Sequence, residues 1–278
     1  MAVAKLKSDN DALPEFRSPV QRFMRRFASH RMAMVGGIIL IGILLFVTFG
    51  TLFYTEADAN YNDPTIRLQA PDSQYLFGTD TVGRDIFART IYGGQISLLI
   101  GVFSVIVSIT IGTLFGILAG FLGGWVDTLV TKITEAMMTI PSLLLLLMMS
   151  KFFSQRVPDI NFFGRTLSGS VVVIIGIIGL TSWMSLSRIV RGQVLSIKEN
   201  EYIMAARAIG SSPWRIIVNH IFPNTIAPVI VFATLGTASA ILSEAYISFL
   251  GLGVAPPTAT WGSMLNSANQ YLEEAPWR

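Results

Sequence analysis

The chain contains no cysteine, and this absence excludes several kinds of site. Without cysteine there is no disulfide framework, no thiolate zinc site and no cysteine nucleophile. Histidine is almost as scarce, because the 278 residues include only His30 and His220, which lie far apart in sequence. We interpret both histidines as interfacial side chains beside helices, and we expect neither a metal site nor a bound cofactor.

Charged residues are also few. They make up 13% of the chain, against 52% hydrophobic residues, whereas a typical soluble domain carries about 25% charged residues. The net charge of +3 is too small to make nucleic acid a good candidate partner. This composition indicates a protein whose main surroundings are the lipid bilayer.

Motifs for nucleotide hydrolysis and for other catalysis are missing from the sequence. No Gly-Lys pair occurs anywhere, so the chain has no Gly-x-x-x-x-Gly-Lys-Ser/Thr phosphate loop. There is likewise no His-Glu-x-x-His and no Gly-x-Ser-x-Gly motif. The sequence therefore predicts a non-catalytic protein, and energy from ATP would have to come from another chain.

Apolar stretches divide the chain into candidate membrane spans. A helix crosses the bilayer core with roughly 20 apolar residues. The third candidate span contains Lys132 and Glu135, whose three-residue spacing lets them pair on one helix face. The sequence predicts an all-α polytopic transmembrane helical bundle with about five spans, at residues 32–55, 97–121, 128–150, 166–187 and 225–249.

The distribution of Lys and Arg predicts the orientation of these spans. Placing the N-terminus in the cytoplasm puts 13 of the 20 basic residues on inner segments, as the positive-inside rule requires. Residues 1–31 then form a cytoplasmic segment, residues 56–92 an extracytoplasmic loop, and residues 93–278 a transmembrane domain. The chain between the fourth and fifth spans, residues 199–224, is expected to be cytoplasmic.

Two local features are expected at the extracytoplasmic loop and the start of the second span. The loop is predicted to contain a helix after Asp80, with Asp80 or Thr81 as its cap and Asp85 in its first turn. A turn is predicted at Gly93 and Gly94, before the second span enters the membrane. Both expectations rest on local residue preferences alone.

The cytoplasmic loop 199–224 carries the most specific pattern. Asn200 is a candidate cap for a first short helix, which Gly210 closes by adopting a left-handed conformation. Ser212 is a candidate cap for a second helix with Pro213 at its first position, and Pro223 is expected to end that helix. These residues predict a helical hairpin on the inner side of the membrane.

Two functions remain open for this hairpin on its residues alone. The small side chains of Ala205 and Ala206 would let another protein approach the backbone closely. A loop that simply returns the chain to the membrane, with no partner, explains the same residues equally well.

The hairpin resembles the cytoplasmic Glu-Ala-Ala…Gly…Ile-x-Leu-Pro motif of the membrane subunits of ABC importers, which docks into a cleft on the ATPase. The spacing is kept, but Met204, His220 and Phe222 stand where the motif has Glu, Ile and Leu, and Glu201 lies one turn away. The resemblance implies ATPase coupling through Glu201, Met204, Ala205, Ala206, Arg207, Gly210, Ser212, Trp214, Arg215, His220, Phe222 and Pro223.

Further blocks at residues 77–86, 91–97, 120–127 and 248–253 are similar to the C-type permease of the dipeptide, oligopeptide and nickel importers. Together the blocks cover nearly the whole chain in order. The resemblance implies a second homologous permease subunit, two ABC ATPase subunits and an extracytoplasmic solute-binding protein. It also implies a bacterial cell membrane location and transport of peptides or similar small solutes by alternating access, with the two permeases each forming half of the path.

One departure concerns the number of spans. The family has six spans, and an Ala-Pro-Trp such as 275–277 precedes the last of them, whereas this sequence reaches only Arg278. The final span is therefore expected to be absent from this chain, and truncation, frameshift and a natural short form all remain open as explanations.

Glu244 and a row of glycines are the remaining candidate residues. A carboxylate within the fifth span suits either a polar group on the solute path or a buried structural hydrogen bond, and its position near the membrane edge favours the second. Gly112, Gly116, Gly120 and Gly124 recur every fourth residue and predict a close helix contact, with either the sister permease or this chain's own helices.

A different class of transporter also remains open. An ion-coupled secondary transporter usually has paired repeats and several charges near the middle of the bilayer. Glu244 alone gives that alternative little support. Nothing in the sequence identifies the solute.

Overall fold

The computed structural model describes residues 19–153, 156–162 and 165–277. The first 18 residues of the predicted cytoplasmic segment and Arg278 lie outside the described residues. The chain divides into two compact units, Met1–Phe46 and Val47–Arg278. Helices dominate both units and are α1 (Pro19–Ser29), α2 (Arg31–Phe49), α3 (Glu56–Asn60), α4 (Ile86–Leu122), α5 (Gly124–Met138), α6 (Ser142–Phe153), α7 (Gly169–Ile197), α8 (Glu201–Ala208), α9 (Pro213–Ile216), α10 (Phe222–Phe249) and α11 (Trp261–Asn269).

Short elements connect several of these helices. Two 3-10 turns, Gly50–Leu52 and Pro64–Ile66, follow α2 and α3. A two-stranded antiparallel sheet pairs β1 (Ile160–Phe162) with β2 (Arg165–Leu167) immediately before α7. This pair of strands is the only sheet within the described ranges.

Four long apolar helices have the length and composition of membrane spans, at Arg31–Leu52, Ile86–Leu122, Gly169–Ile197 and Pro213–Phe249. The pair α5 and α6 makes a fifth if its two halves together cross once. The apolar side chains of the first span, such as Ile38 and Leu40, are exposed, as expected for a helix surrounded by lipid. The prediction of an all-α bundle with about five spans is confirmed.

The third predicted span, residues 128–150, consists of two helices instead of one. Helices α5 and α6 meet at an angle of 87° around residues 139–141. Pro141 stands at this break and provides no backbone N–H, so the hydrogen-bond ladder of α5 cannot continue through it. The predicted ion pair on α5 is confirmed, because Lys132 Nζ lies 3.2 Å from Glu135 Oε2 on an exposed face.

The start of α4 also differs from expectation. Asp85 itself is the cap, and its carboxylate accepts a hydrogen bond from the Phe87 N–H at 2.8 Å. Asp80 instead closes the preceding turn by accepting from the Val82 N–H at 2.9 Å. Residue preferences alone cannot decide which of the two aspartates caps α4, because both can accept hydrogen bonds from backbone N–H groups. The answer depends on where the loop turns back before the helix.

The predicted turn at Gly93 and Gly94 is wrong, because both glycines lie inside the continuous helix α4. A Cβ atom at Gly94 would lie 2.6 Å from the Trp261 ring, and one at Gly93 would lie 3.3 Å from the Thr260 backbone. The two glycines therefore allow the chain at the start of α11 to pack directly on α4. Their role is close packing, which a local pattern cannot distinguish from a turn.

Helices α4 and α7 form the centre of the larger unit, and α10 packs against both. One apolar cluster joins the three helices at the end near α11, around Ile100, Ile174 and Ile247, each fully buried. A second cluster lies at the opposite end, around Val190, and includes residues of the loop 199–224. The loop is thus part of the packed structure.

Candidate functional site

The loop 199–224 folds into the predicted hairpin. Gly210 joins α8 to α9 with φ +81°, a conformation that favours glycine. The Ser211 N–H donates to the Ala206 carbonyl at 3.0 Å, and the Gly210 N–H donates to the Arg207 carbonyl at 3.0 Å. This pair of bonds is a Schellman motif, which ends a helix and turns the chain sharply.

The caps of the two short helices agree with expectation only in part. Ser212 Oγ accepts a hydrogen bond from the Arg215 N–H at 3.4 Å, and Pro213 occupies the first position of α9. Asn200 stands at the cap position of α8 without a side-chain capping bond. Its side-chain amide instead donates to the Tyr202 hydroxyl at 3.2 Å.

One face of the hairpin is buried against the bundle. Ile203 and Ile221 are fully buried, Ile216 is 1% exposed, and Ala206 joins them in the same cluster as Val190 of α7. Ala205 lies on the other, exposed side. The expectation that both alanines form one exposed surface is therefore wrong, since adjacent helical residues point about 100° apart.

The other face of the hairpin carries exposed apolar side chains. Met204 is 51% exposed, Trp214 is 70% exposed and Ile209 is 82% exposed. Exposed Glu201 and Arg215 belong to the same hairpin. Apolar side chains grouped on a surface among charges are typical of protein contacts, and we call these five residues the outer face of the hairpin.

Arg207 is engaged within the chain. Its guanidinium lies 5.6 Å from the centre of the Phe121 ring, at the end of α4. The contact is a cation–π interaction and it ties α8 to α4. Arg207 was grouped with the coupling residues by resemblance, and the structure adds this second role.

The hairpin continues into the membrane helix without a break. Pro223 does not end the second helix as predicted, because it occupies the first turn of α10. A single π-helical segment, Ile217–Ile221, joins α9 to α10. The wider π turn leaves backbone groups to be satisfied locally, and Asn224 Nδ2 donates to the His220 carbonyl at 2.6 Å. Phe222, at the start of α10, is exposed.

An ion pair beside the hairpin was not anticipated from the sequence. Arg191 of α7 binds Asp127 of α5 through two hydrogen bonds, one from Nη2 to Oδ2 at 2.6 Å and one from Nε to Oδ1. Lys198 Nζ, near the hairpin, donates to the Gly120 carbonyl at 3.4 Å. A bidentate contact of this kind fixes the direction of both partners. The sequence feature that could have predicted this ion pair is the position of Asp127 and Arg191 near the same predicted membrane boundary.

The glycine row packs within this chain. A Cβ atom at Gly112 would lie 2.8 Å from the Trp183 carbonyl oxygen of α7, and one at Gly120 would lie 2.7 Å from Val194 Cβ. Gly116 lies between them and makes the same kind of contact. Gly124 is not part of this contact, because α4 ends at Leu122 and Gly124 begins α5. Of the two partners left open, the structure places α7 against the first three glycines.

Glu244 is fully buried within α10. Its carboxylate accepts hydrogen bonds from Ser97 Oγ of α4 at 3.2 Å and from Ser248 Oγ at 2.6 Å. Ser97 Oγ in turn accepts from the Trp261 N–H of α11 at 3.2 Å. Glu244 therefore links three helices at the end of α10 distant from the hairpin. These contacts fit the structural interpretation, and a role in solute passage remains a prediction.

The loop before α4 holds its charges in internal contacts. Arg84 Nε lies 2.7 Å from Asp80 Oδ2, and Arg89 Nε lies 3.8 Å from the same oxygen. Burial raises the pKa of the Asp85 carboxyl, although it accepts hydrogen bonds from the N–H groups of Phe87 and Ala88. The charges of this loop are therefore used to hold it against the start of α4.

The sequence matches two described protein families. Residues 112–275 match the binding-protein-dependent transport system inner membrane component. Residues 18–71 match the N-terminal TM domain of oligopeptide transport permease C. The second match covers α1, α2 and α3, and the first covers the C-terminal part of α4 from residue 112 and everything that follows up to residue 275.

Individual relatives resemble the chain over most of its length. A dipeptide transport system permease protein DppC of Alkalihalophilus pseudofirmus is 38% identical over 94% of this chain and 81% of the relative. An oligopeptide transport system permease protein OppC of Bacillus subtilis is 36% identical over 92% of this chain and 79% of the relative. A glutathione transport system permease protein GsiD of Escherichia coli is 35% identical over 94% of this chain and 82% of the relative.

These matches agree with the bundle of apolar helices and with the resemblance found in the sequence. They show a multi-pass bacterial membrane protein that is itself non-catalytic. The chain belongs to the family of binding-protein-dependent transport system inner membrane components, as a permease subunit of the peptide type.

Proposed function

We propose that this chain forms half of the translocation path of an ATP-driven importer for peptides or similar small solutes. The names of the relatives support the solute class, because they refer to dipeptides, oligopeptides and glutathione, which are all short peptides. The partners that we propose are a second homologous permease, two ABC ATPase subunits and an extracytoplasmic solute-binding protein.

The hairpin is the proposed contact with the ATPase. The observation that supports this proposal is that one face of the hairpin is buried against the bundle and the other face is exposed. Its inner face is packed into the bundle through Ile203, Ile216 and Ile221, so the hairpin cannot move independently of α7. Its outer face presents Met204, Ile209 and Trp214. A surface that binds a moving partner and transmits the movement needs both properties.

The helical connection supports transmission of that movement across the membrane. Pro213–Phe249 runs as one helical stretch of 37 residues, which is about 55 Å long at 1.5 Å per residue. We propose that closure of the two ATPases displaces the hairpin and rotates the bundle so that the path opens to the outside. Release of the nucleotide then returns the bundle to the state in which the path opens to the cytoplasm. This is an alternating-access cycle, with α10 as the element that connects the two sides.

The orientation follows from the same assignment. The N-terminus and the hairpin are proposed to be cytoplasmic, and the segment 56–92 is proposed to be outside. The hairpin segment 199–224 carries basic residues such as Arg207 and Arg215, as the positive-inside rule favours.

Replacing Gly210 with valine tests the coupling proposal. A β-branched residue at φ +81° strains the backbone by about 1–2 kcal/mol, and relief of that strain would change the angle between α8 and α9. We expect copurification of the ATPase with the permease to fall by about tenfold or more, which corresponds to about 1.4 kcal/mol. The measurement is the ATPase-to-permease ratio in the purified complex.

Gly251 provides a matched control for this substitution. It has φ +76°, it also has open space around its Cβ position, and it closes α10 through the same pair of backbone hydrogen bonds. Gly251→Val therefore imposes the same kind of strain at the end of α10 away from the hairpin. Equal ATPase ratios for Gly210→Val, Gly251→Val and the unaltered protein would contradict the proposal.

A further inference from the structure

Helix α1 and the first span are separate helices that meet at His30. Helix α1 ends at Ser29 and α2 begins at Arg31, so His30 belongs to neither helix. The His30 N–H donates to the Phe27 carbonyl at 3.1 Å, and the Met34 N–H donates to the His30 carbonyl at 3.0 Å. A single residue therefore joins the two helices, with no loop between them.

A contact between α1 and α2 requires a sharp bend at this residue. A Cβ atom at Gly37 of α2 would lie 3.1 Å from Cζ of the Phe27 ring. In one straight helix the two residues would stand about 15 Å apart along the axis. Side chains on a helix also lean toward its N-terminus, so the Phe27 ring would point away from Gly37. Helix α1 therefore leaves the axis of the span and directs Phe27 against it.

The sequence of α1 is amphipathic. Apolar residues occupy positions 20, 23, 24 and 27, a spacing that places them on one side of a helix, and we call these positions the apolar stripe. Met24, on this stripe, is 58% exposed. An exposed apolar stripe on a helix beside a membrane span is suited to the acyl region of the bilayer.

Arginine is concentrated in the same segment, and acidic residues are missing from it. Residues 19–31 contain four arginines, and no Asp or Glu occurs between Glu15 and Glu56. Arg25 and Arg31 are exposed, and neither pairs with an acidic side chain anywhere in the part of the chain that the structure describes. These guanidinium groups are therefore available to an anionic partner outside the chain.

We propose that α1 lies along the membrane surface and that its arginines bind the phosphate groups of anionic phospholipids, with the apolar stripe among the acyl chains. Guanidinium groups bind phosphate through paired N–H donors. Clusters of basic residues beside a membrane span are typical of segments that bind anionic headgroups. The depth agrees as well. Gly37 lies about 9 Å along α2 from its start, and the apolar face of a surface helix lies roughly 5–10 Å into the boundary of the bilayer.

The lipid contact goes beyond the importer function and depends neither on the ATPase nor on the solute. A protein subunit is the alternative occupant of the apolar stripe. Lipid is favoured because one residue connects α1 to a span whose own apolar side chains, such as Ile38 and Leu40, are exposed. The bilayer is thus within reach of α1 before any partner binds.

Single cysteines in the cysteine-free chain test the position of α1. Met24→Cys lies on the apolar stripe, and Ser29→Cys lies on the opposite, exposed side of the helix. Each is labelled with bimane, purified with the partner permease and ATPases, and reconstituted into vesicles of phosphatidylcholine with brominated acyl chains. Bromine quenches a fluorophore that contacts the acyl chains. We expect bimane at position 24 to be quenched at least threefold more than bimane at position 29.

The preference for anionic headgroups is measured with the same Met24→Cys protein. Quenching by brominated phosphatidylglycerol and by brominated phosphatidylcholine, each at the same mole fraction, gives a relative association constant. We expect it to favour phosphatidylglycerol at least threefold, since one arginine near an anionic surface strengthens the attraction by about fivefold. Adding Arg25→Gln and Arg31→Gln should lower this preference at least twofold. Lys151→Gln removes an exposed charge from α6 and, as the matched control, should leave it unchanged.

Three results would overturn the inference. Equal quenching at positions 24 and 29 would show that the apolar stripe does not face the acyl chains. A relative association constant near one would remove the binding of anionic headgroups. Quenching at position 24 in the isolated chain but not in the assembled transporter would show that a protein subunit covers the stripe. All three are distinct from failure of the coupling proposal, which appears as an unchanged ATPase ratio in Gly210→Val.

Discussion

Gly116→Val is expected to push α4 away from α7 and to lower the thermal stability of the protein strongly. A Cβ atom at Gly116 would lie 2.7 Å from Val190 Cβ and 2.8 Å from the Ser187 carbonyl oxygen. The backbone carbonyl cannot move aside without moving the helix. Overpacking of this kind costs about 1–3 kcal/mol and more where neighbours are fixed. We expect the midpoint of thermal unfolding in detergent to fall by roughly 5–10 °C, given about 2–4 °C per kcal/mol.

Gly176→Val is the control for that experiment. Gly176 lies within α7, but the space around its Cβ position is open to 4 Å. The same added side chain should therefore change the unfolding midpoint by no more than about 2 °C, equivalent to less than 1 kcal/mol. If both variants unfolded at the temperature of the unaltered protein, α4 and α7 would not be in the close contact that the structure shows.

Glu244→Ala is expected to have the second largest effect. The substitution removes the acceptor of the Ser97 and Ser248 hydroxyls and leaves space among α4, α10 and α11. An unsatisfied buried group costs about 1–3 kcal/mol, and the lost packing adds to that cost. We expect the unfolding midpoint to fall by roughly 5–10 °C, measured under the same conditions as for Gly116→Val.

Glu244→Gln separates the structural role from a role of the charge. Glutamine has nearly the same size and keeps one acceptor oxygen, so it should retain most of the stability that alanine loses. Uptake by Glu244→Gln should also stay within about twofold of the unaltered protein if Glu244 acts only in the structure. A stable Glu244→Gln protein with uptake abolished would show that Glu244 contacts the solute path.

The membrane helices could be predicted because the bilayer imposes a length and a composition on them. Long apolar stretches located α2, α4, α7 and α10, and the residue spacing located the glycine contact on α4. These signals are local to one helix. The partner of the glycines, α7, depends on how the helices assemble, and the sequence therefore left it open between two surfaces.

The errors came from residues that have more than one use. Gly93 and Gly94 provide close packing inside α4 instead of a turn, and Pro223 lies in the continuous helical stretch Pro213–Phe249, directly after the π-helical segment, instead of ending a helix. Pro141, in contrast, does interrupt a span. The local preferences of glycine and of proline allow more than one of these roles, and the surrounding structure decides which role each residue takes.

The candidate site was predictable to a similar degree. The hairpin, its glycine and its second cap follow from local residue preferences, and family resemblance indicated the partner. The orientation of each side chain did not follow, which is why Ala206 proved to be buried and Arg207 to contact Phe121.

The proposed function places the hairpin in the cytoplasm, in contact with the ATPase. Ile209→Cys probes this location, because Ile209 is 82% exposed on the outer face of the hairpin and the chain has no other cysteine. Tyr61→Cys, in the segment proposed to be outside, is 67% exposed and serves as the control.

The measurement is modification of these cysteines in intact cells and in inverted membrane vesicles by a thiol reagent that cannot cross the membrane. We expect Ile209→Cys to react only in inverted vesicles and to be protected there by the bound ATPase, while Tyr61→Cys reacts only in intact cells. Reaction of Ile209→Cys from outside intact cells would show that the hairpin is not cytoplasmic and would rule out its contact with the ATPase.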